Sequence, residues 1–257
     1  MVTARVAGTR TIARAIALLR AFDGARPAWR LAELARASRL HRATAHRLLA
    51  ALELEGMVAR DPGGELYRLG PEAIALGARA LRATDLRGVS RAELETLAHG
   101  SGETATLEVP AGHEMLILDE VAGGALVGAT PMLGERWPVH ATSTGKAILA
   151  ALPAGEPSRA GAGRLARFTE RTVVSRAALD RQLAEARRRG YAVASEELEL
   201  GYVAVGAAVH GHDGQPVAAI SLGGPSLRMT PRRIASLGRT VREAAARISS
   251  ALGHRAA

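Results

Sequence analysis

The chain contains no cysteine, and Lys146 is the single lysine among its 34 basic residues. Absence of cysteine excludes disulfides and thiolate metal sites and leaves the redox compartment open. Long apolar runs are also missing. Hydrophobic residues reach 47% with a mean hydropathy of only +0.04, because charged residues interleave them. No stretch approaches the roughly 18 apolar residues that a membrane-spanning helix needs. The basic residues near Met1 have no apolar stretch behind them, so no signal peptide is expected and a cytoplasmic protein is the simplest reading. What is present is length and positive charge. At 257 residues, two domains are the default expectation. The net charge of +9 fits a phosphate-rich partner. Residues 1–70 hold 12 arginines against 6 acidic side chains, a net of +6. That asymmetry points to a nucleic-acid module at the front.

Residues 9–22 carry Ile12, Ile16, Leu19 and Phe22 at helical spacing, which predicts an amphipathic helix with these on one face. A short second helix is expected over 31–37, with Leu31, Leu34 and Ala35 inward. After a tight turn at 38–40, a third helix over about 42–54 would bury Ala45, Leu48, Leu49 and Leu52. Its outer side presents Arg42, Ala43, Thr44, His46 and Arg47. Helix-turn-helix geometry needs these properties: a small residue (Ala35) where two helices cross, an apolar plug (Leu40), and a polar helix for the major groove. Thr44 and His46 are the candidates for base readout. Two β-prone runs, 57–60 and 65–69, flank Pro62-Gly63-Gly64 and predict a hairpin. Behind a recognition helix a hairpin is a wing, with Arg60 and Arg68 placed to meet phosphates. The alternative is a generic three-helix bundle with a solvated basic face.

Pro71 suits the first turn of a linker helix, and Ile74, Leu76, Ala80 and Leu81 give it an apolar stripe that would pair with its copy in a dimer. Residues 82–89 are the expected hinge. The division is therefore 1–70 for DNA binding, 71–88 for linker and hinge, and 89–257 for effector binding and oligomerisation. In that last part, alternating strand and helix patterns predict an α/β domain, making the chain α+β overall. Strands are expected over 104–109, 115–120, 123–130, 203–209 and 217–222. Helices are expected over 144–151, 176–189 and 230–252, the last capped by Thr230 with Pro231 at its first position. Ser143-Thr144-Gly145-Lys146 opens one of them, so backbone N–H groups and a partial positive charge converge there as an anchor for a carboxylate.

Several ordered motifs together resemble the IclR family of regulators. Leu31-Ala-Glu-Leu-Ala35, Thr44-Ala-His-Arg-Leu-Leu49, Glu55-Gly-Met-Val58 and Tyr67-Arg-Leu-Gly70 are similar to its DNA-binding half. His140-Ala-Thr-Ser-Thr-Gly-Lys-Ala-Ile-Leu-Ala150, Arg189-Gly-Tyr-Ala192, Glu196-Glu197 with Gly201, Asp213-Gly214 and 220–225 are similar to its effector domain. The resemblance implies a winged helix, a linker helix and a GAF-like sensor domain. It also implies a dimer or tetramer on a double-stranded, pseudo-palindromic operator, more often as a repressor. Effector binding would then change the linker angle and the half-site spacing. Carried over residue by residue, the effector positions are Ser143, Thr144, Ala194, Ala204, Ser221 and Gly223. Only Ser221 and the helix-start hydroxyls are polar among them. The expected effector is accordingly a larger, partly apolar acid, aromatic for example, with Ala129, Leu133 and Trp137 as candidate walls. The same small residues would serve equally to pack a core. Two departures stand out. Arg39 replaces the usual glycine of the helix-helix turn, where a left-handed backbone costs a non-glycine roughly 1–2 kcal/mol. His41-Arg42-Ala43-Thr44 lacks a hydroxyl at the recognition-helix opening.

Other chemistries fit less well. Ser143-x-x-Lys146 matches an acyl-enzyme motif, but its partner motifs are missing. Gly145-Lys146 lacks the remainder of a phosphate loop. Lys146 reads as structural, pairing with Glu196 or Glu197. His210-Gly-His212 has no obvious third metal ligand, and Arg187-Arg188-Arg189 reads as a solvated helix end. No metal or cofactor is expected. A DNA-binding interaction protein without an effector remains as the competing class.

Overall fold

A computed structural model describes residues 9–23, 26–82, 85–124, 132–152 and 165–255. They divide into two compact units between Thr84 and Asp85. The first holds α1 (Thr9–Leu19), β1 (Ala28–Arg30), α2 (Leu31–Ala37), α3 (Arg42–Leu54), β2 (Val58–Arg60), β3 (Leu66–Leu69) and α4 (Pro71–Arg82). Leu18, Leu34, Ala35, Ala45, Leu48, Leu49, Val58 and Tyr67 form its core, with Leu40 packed at the edge. The turn between α2 and α3 is closed by the Leu40 N–H donating to the Ala35 carbonyl at 2.8 Å. Arg39 sits there at φ 54, the left-handed backbone that its place in the turn predicted. β2 and β3 form the expected hairpin. A short strand that local pattern does not reveal, β1, adds to β3 and gives the order β1-β3-β2.

The expected face of α1 meets the core only at its C-terminal end, where Leu19 packs against it. Leu18 is its buried residue, whereas Ile12 is 62% exposed and Ile16 also lies at the surface. Phe22 falls past the end of α1 and packs against the core. On α4, Ile74 is 73% exposed and Leu76 is exposed as well.

The second unit holds α5 (Asp85–Ser101), β4 (Thr104–Ala111), β5 (Glu114–Val121), β6 (Arg136–Pro138), α6 (Ser143–Ala151) and α7 (Arg176–Arg189). It continues with β7 (Ala192–Ser195), β8 (Tyr202–His210), β9 (Pro216–Pro225) and α8 (Pro231–Ala251). The strands make one six-stranded sheet, order β6-β5-β4-β9-β8-β7, and every pairing is antiparallel. Helices α5 and α8 pack on one face through Leu94, Leu97, Val241 and Ile248 against Leu107, Val205 and Leu222. Helices α6 and α7 cover the other through Ile148, Leu149, Leu179 and Leu183. With both faces covered, polar residues on these strands do not necessarily meet water. Thr230 caps α8 as expected, its hydroxyl accepting from the Arg233 N–H at 3.3 Å.

Two expectations change. Residues 85–89 are not a hinge: they form the first turns of α5, because Leu86 and Val89 continue the apolar spacing of Leu94 and Leu97 onto the sheet. Of the strand expected at 123–130, Gly123 and Gly124 are not in a strand, and the remainder lies outside the described residues.

Candidate functional site

In the first unit, α3 buries Ala45, Leu48 and Leu49, so the helical repeat turns Arg42, Ala43, His46 and Arg47 to the surface with Thr44 partly exposed. His41 is the N-cap residue in extended backbone, and its side chain makes no capping bond. The first N–H groups of α3 therefore keep their capacity to meet an anion, and the helix dipole adds to it. Arg68 is exposed on the central strand β3. Arg60 is exposed on β2 and also has a partner within the unit. Its Nε donates to Glu53 on α3 at 3.2 Å, and its guanidinium lies 5.0 Å from the Tyr67 ring centre, so it braces the wing against the helix. A phosphate contact by Arg60 has to compete with that pair.

In the second unit, the start of α6 faces a cavity of about 120 Å³ between α6 and the sheet. Thr142 caps the helix, its hydroxyl accepting from the Gly145 N–H at 3.2 Å. Gly145 permits the position of this helix start: a Cβ there would lie 2.3 Å from the Val139 backbone. The N–H groups of Ser143 and Thr144 have no acceptor within the helix. The cavity brings together Ser143, Thr144, Ala194, Ala204, Ser221 and Trp137 among the expected residues. Leu133 does not join them; it is 51% exposed, because the chain before β6 carries it to the surface. Gly223 is not part of the lining either, and a Cβ there would lie 2.1 Å from the Tyr202 hydroxyl, so Tyr202 occupies its place. Ala129 lies outside the described residues.

The wall is largely apolar, as expected, but it also carries polar groups that the carried-over positions do not include. Thr106, Glu108, Glu197, Glu199 and Tyr202 also line the cavity, beside Ile117, Met132 and Leu198. Glu108, on the central strand β4, is 6% exposed. Its carboxyl accepts from the Thr144 hydroxyl at 2.6 Å and from the Thr106 hydroxyl at 2.9 Å, and Thr106 meets the Ser221 hydroxyl at 2.8 Å. Burial pushes its pKa up, against the lowering effect of the two hydroxyl donors. Tyr202 is pushed up as well, by burial and then by surrounding carboxylates with Glu108 foremost. Lys146 is buried and ion-paired to Glu197, and also donates to the Val193 carbonyl at 3.3 Å. Burial lowers its pKa and Glu197 works against that. Lys146 is thus tied away from Ser143, while Glu196 pairs with Arg171. His210 stacks on His254 at 5.2 Å between ring centres. Among the described residues no group of acidic, histidine and cysteine side chains could hold a metal.

Two outcomes follow from this geometry. A group whose folded pKa is raised stabilises fully below its unfolded value, and that contribution is lost as pH rises through the folded pKa. Glu108 should therefore make stability decline as pH rises from about 4.3, the ordinary glutamate value, and Glu108→Gln should flatten the decline in denaturant titrations across pH. Gly223→Ala should displace Tyr202 and destabilise by about 1–3 kcal/mol through overpacking, read as a lowered unfolding midpoint. An unchanged midpoint would mean that the Tyr202 side chain relocates freely.

Comparison with known proteins decides what these two sites belong to. The IclR helix-turn-helix domain matches residues 11–62, and the bacterial transcriptional regulator IclR C-terminal domain matches residues 78–250. The chain belongs to the IclR family. It is 34% identical over 250 residues to the transcriptional repressor AllR of Klebsiella pneumoniae, covering 96% of this chain and 91% of that one. It is 33% identical over 228 residues to the transcriptional repressor IclR of Escherichia coli, covering 87% and 82%. A solved IclR homolog from Microbacterium hydrocarbonoxydans, complexed with 4-hydroxybenzoate, is 29% identical with a TM-score of 0.78 over 94% of this chain and 98% of that one. These IclR-family relatives are transcriptional regulators and repressors, not enzymes. No described helix is long and apolar enough to cross a membrane.

Proposed function

We propose that this IclR-family regulator is an effector-responsive repressor that binds a pseudo-palindromic operator as a dimer or tetramer. The observation that carries it is the pairing, in one chain, of an exposed polar α3 with an uncapped N-terminus and an internal cavity at the start of α6. Arg42 and Arg47 of α3 enter the major groove with Thr44 and His46 toward the bases, and Arg68 meets phosphate. The exposed apolar residues Ile12 and Ile16 on α1 and Ile74 and Leu76 on α4 supply surfaces for a second copy.

The effector is a small organic acid with an apolar, aromatic-sized body. Two free N–H groups at the start of α6 and the partial helix charge favour a carboxylate, and Trp137, Ile117 and Met132 supply apolar wall. That an IclR homolog holds 4-hydroxybenzoate agrees with this choice. Isothermal titration with 4-hydroxybenzoate, benzoate, pyruvate and glyoxylate tests it. Tighter binding of the aromatic acids is expected, and preference for glyoxylate or pyruvate would overturn the size argument. A bound acid at a hundredfold excess over Kd should add about 2.7 kcal/mol of stability, which separates a sensor from a DNA-binding protein that senses nothing.

A further inference from the structure

The acid proposed as effector must enter a cavity that already contains an acid. Glu108, Glu197 and Glu199 line it, and among the described residues the lining includes no arginine, lysine or histidine. Glu197 has its cation, Lys146. Glu108 has none among the described residues: its partners are the Thr144 and Thr106 hydroxyls. Thr144 belongs to the first turn of α6, so the Glu108 carboxyl stands one hydroxyl, 2.6 Å, from the helix start that would receive the effector. A carboxylate docked on the Ser143 and Thr144 N–H groups would lie within about 4 Å of it, close enough for a hydrogen bond between the two carboxyl groups. At that separation and an effective dielectric of about 20, two unit charges oppose binding by more than about a hundredfold. The partial charge of a helix terminus, roughly half a unit, does not offset this.

Resting on the acid-effector proposal above, we propose that Glu108 is the specificity-determining residue of this cavity: it admits an organic acid only together with one proton, shared between the two carboxyl groups. The proton comes from solvent and no other bond forms or breaks. In the complex, one carboxyl accepts from the helix N–H groups while the protonated one donates to it. Burial of Glu108 already favours its neutral form, so little has to be rearranged. The other titratable groups facing it do not supply the proton or the counter-charge. Tyr202 on β8 is held as a neutral phenol by burial and by nearby carboxylates. Lys146 on α6 is committed to Glu197, and Glu199 adds negative charge. Thr106 on β4, Ser221 on β9, Ile117 on β5 and Trp137 on β6 are the uncharged neighbours among the described residues. The consequence is a sensor whose affinity for an acid weakens in alkaline conditions and which refuses dianions.

Benzoate carrying a 13C-labelled carboxyl is the probe, studied by calorimetry between pH 6 and 9 and by infrared difference spectroscopy. The wild-type complex should show a protonated-carboxyl band, on either the labelled or the unlabelled group, that is absent from Glu108→Gln. Wherever free Glu108 is ionised, wild-type affinity should fall about tenfold per pH unit. Glu108→Gln donates through its amide without a proton, so its affinity should be independent of pH and exceed that of the wild type at pH 9. Benzoate binding without a protonated carboxyl in the complex overturns this inference and leaves the acid effector standing. If benzoate, 4-hydroxybenzoate, pyruvate and glyoxylate bind neither protein, or if benzylamine binds in preference to benzoate, the acid effector itself falls and the inference with it.

Discussion

Lys146→Ala is expected to destabilise the C-terminal unit by about 3–5 kcal/mol, the usual effect of leaving a buried charge without its partner. Lys146 is 1% exposed and Glu197 4%, so the pair is shielded from bulk solvent. Glu197 Oε2 already has no hydrogen-bond partner among the described residues, and loss of Lys146 would orphan Oε1 as well. Lys146 also reaches the Val193 carbonyl and so joins α6 to β7 beside the cavity. Denaturant unfolding followed on the C-terminal transition is the measurement. The double replacement Lys146→Met with Glu197→Leu serves as the control. Replacing a buried pair by apolar residues of similar volume is often neutral or stabilising, so the double variant should recover most of the loss. A loss below about 1 kcal/mol for Lys146→Ala would mean that Glu197 is neutral or hydrated in the native protein.

Arg47→Ala is expected to weaken operator binding by about 1–3 kcal/mol, tenfold to more than a hundredfold. Arg47 is exposed on α3 between the buried Ala45 and Leu48, so its removal leaves the core of the first unit intact. The thermal midpoint should stay put while affinity falls. A base-reading arginine also loses sequence preference on removal, whereas a phosphate contact loses affinity evenly and lowers the salt dependence by about one charge. Unchanged operator affinity at moderate salt would displace Arg47 from the groove.

How much of this was legible depended on the range of the forces involved. The bounds of α2 and α3 and the turn between them follow from apolar spacing a few residues apart, and the structure reproduces them. Arg39 was also legible, because the turn geometry acts on one residue. β1 was not: a run of Ala28-Trp29-Arg30 becomes a strand only by pairing with β3 across a long separation. The pairing of Arg60 with Glu53 was not legible, because Glu53 lies on another element. The cavity shows the same limit. Thr104, Thr106 and Glu108 alternate with Ala105, Leu107 and Val109, which reads as a strand with one wet face. In the fold β4 is central, helices cover both faces of the sheet, and the polar face meets α6 instead of water. An acidic residue within an otherwise apolar and hydroxyl-bearing strand was the available signal. The family's effector positions located the cavity, but not the charge inside it.

Control of DNA binding by occupancy of the cavity is the central claim. It is tested most directly by fluorescence anisotropy of the full chain on labelled DNA from the intergenic region beside its own gene, titrated with 4-hydroxybenzoate and with benzoate. Salt-dependent binding to that DNA is expected, with at least a tenfold loss of affinity at saturating acid, the size of a typical coupling between sites. Operator affinity that stays constant while calorimetry shows the acid bound would contradict it.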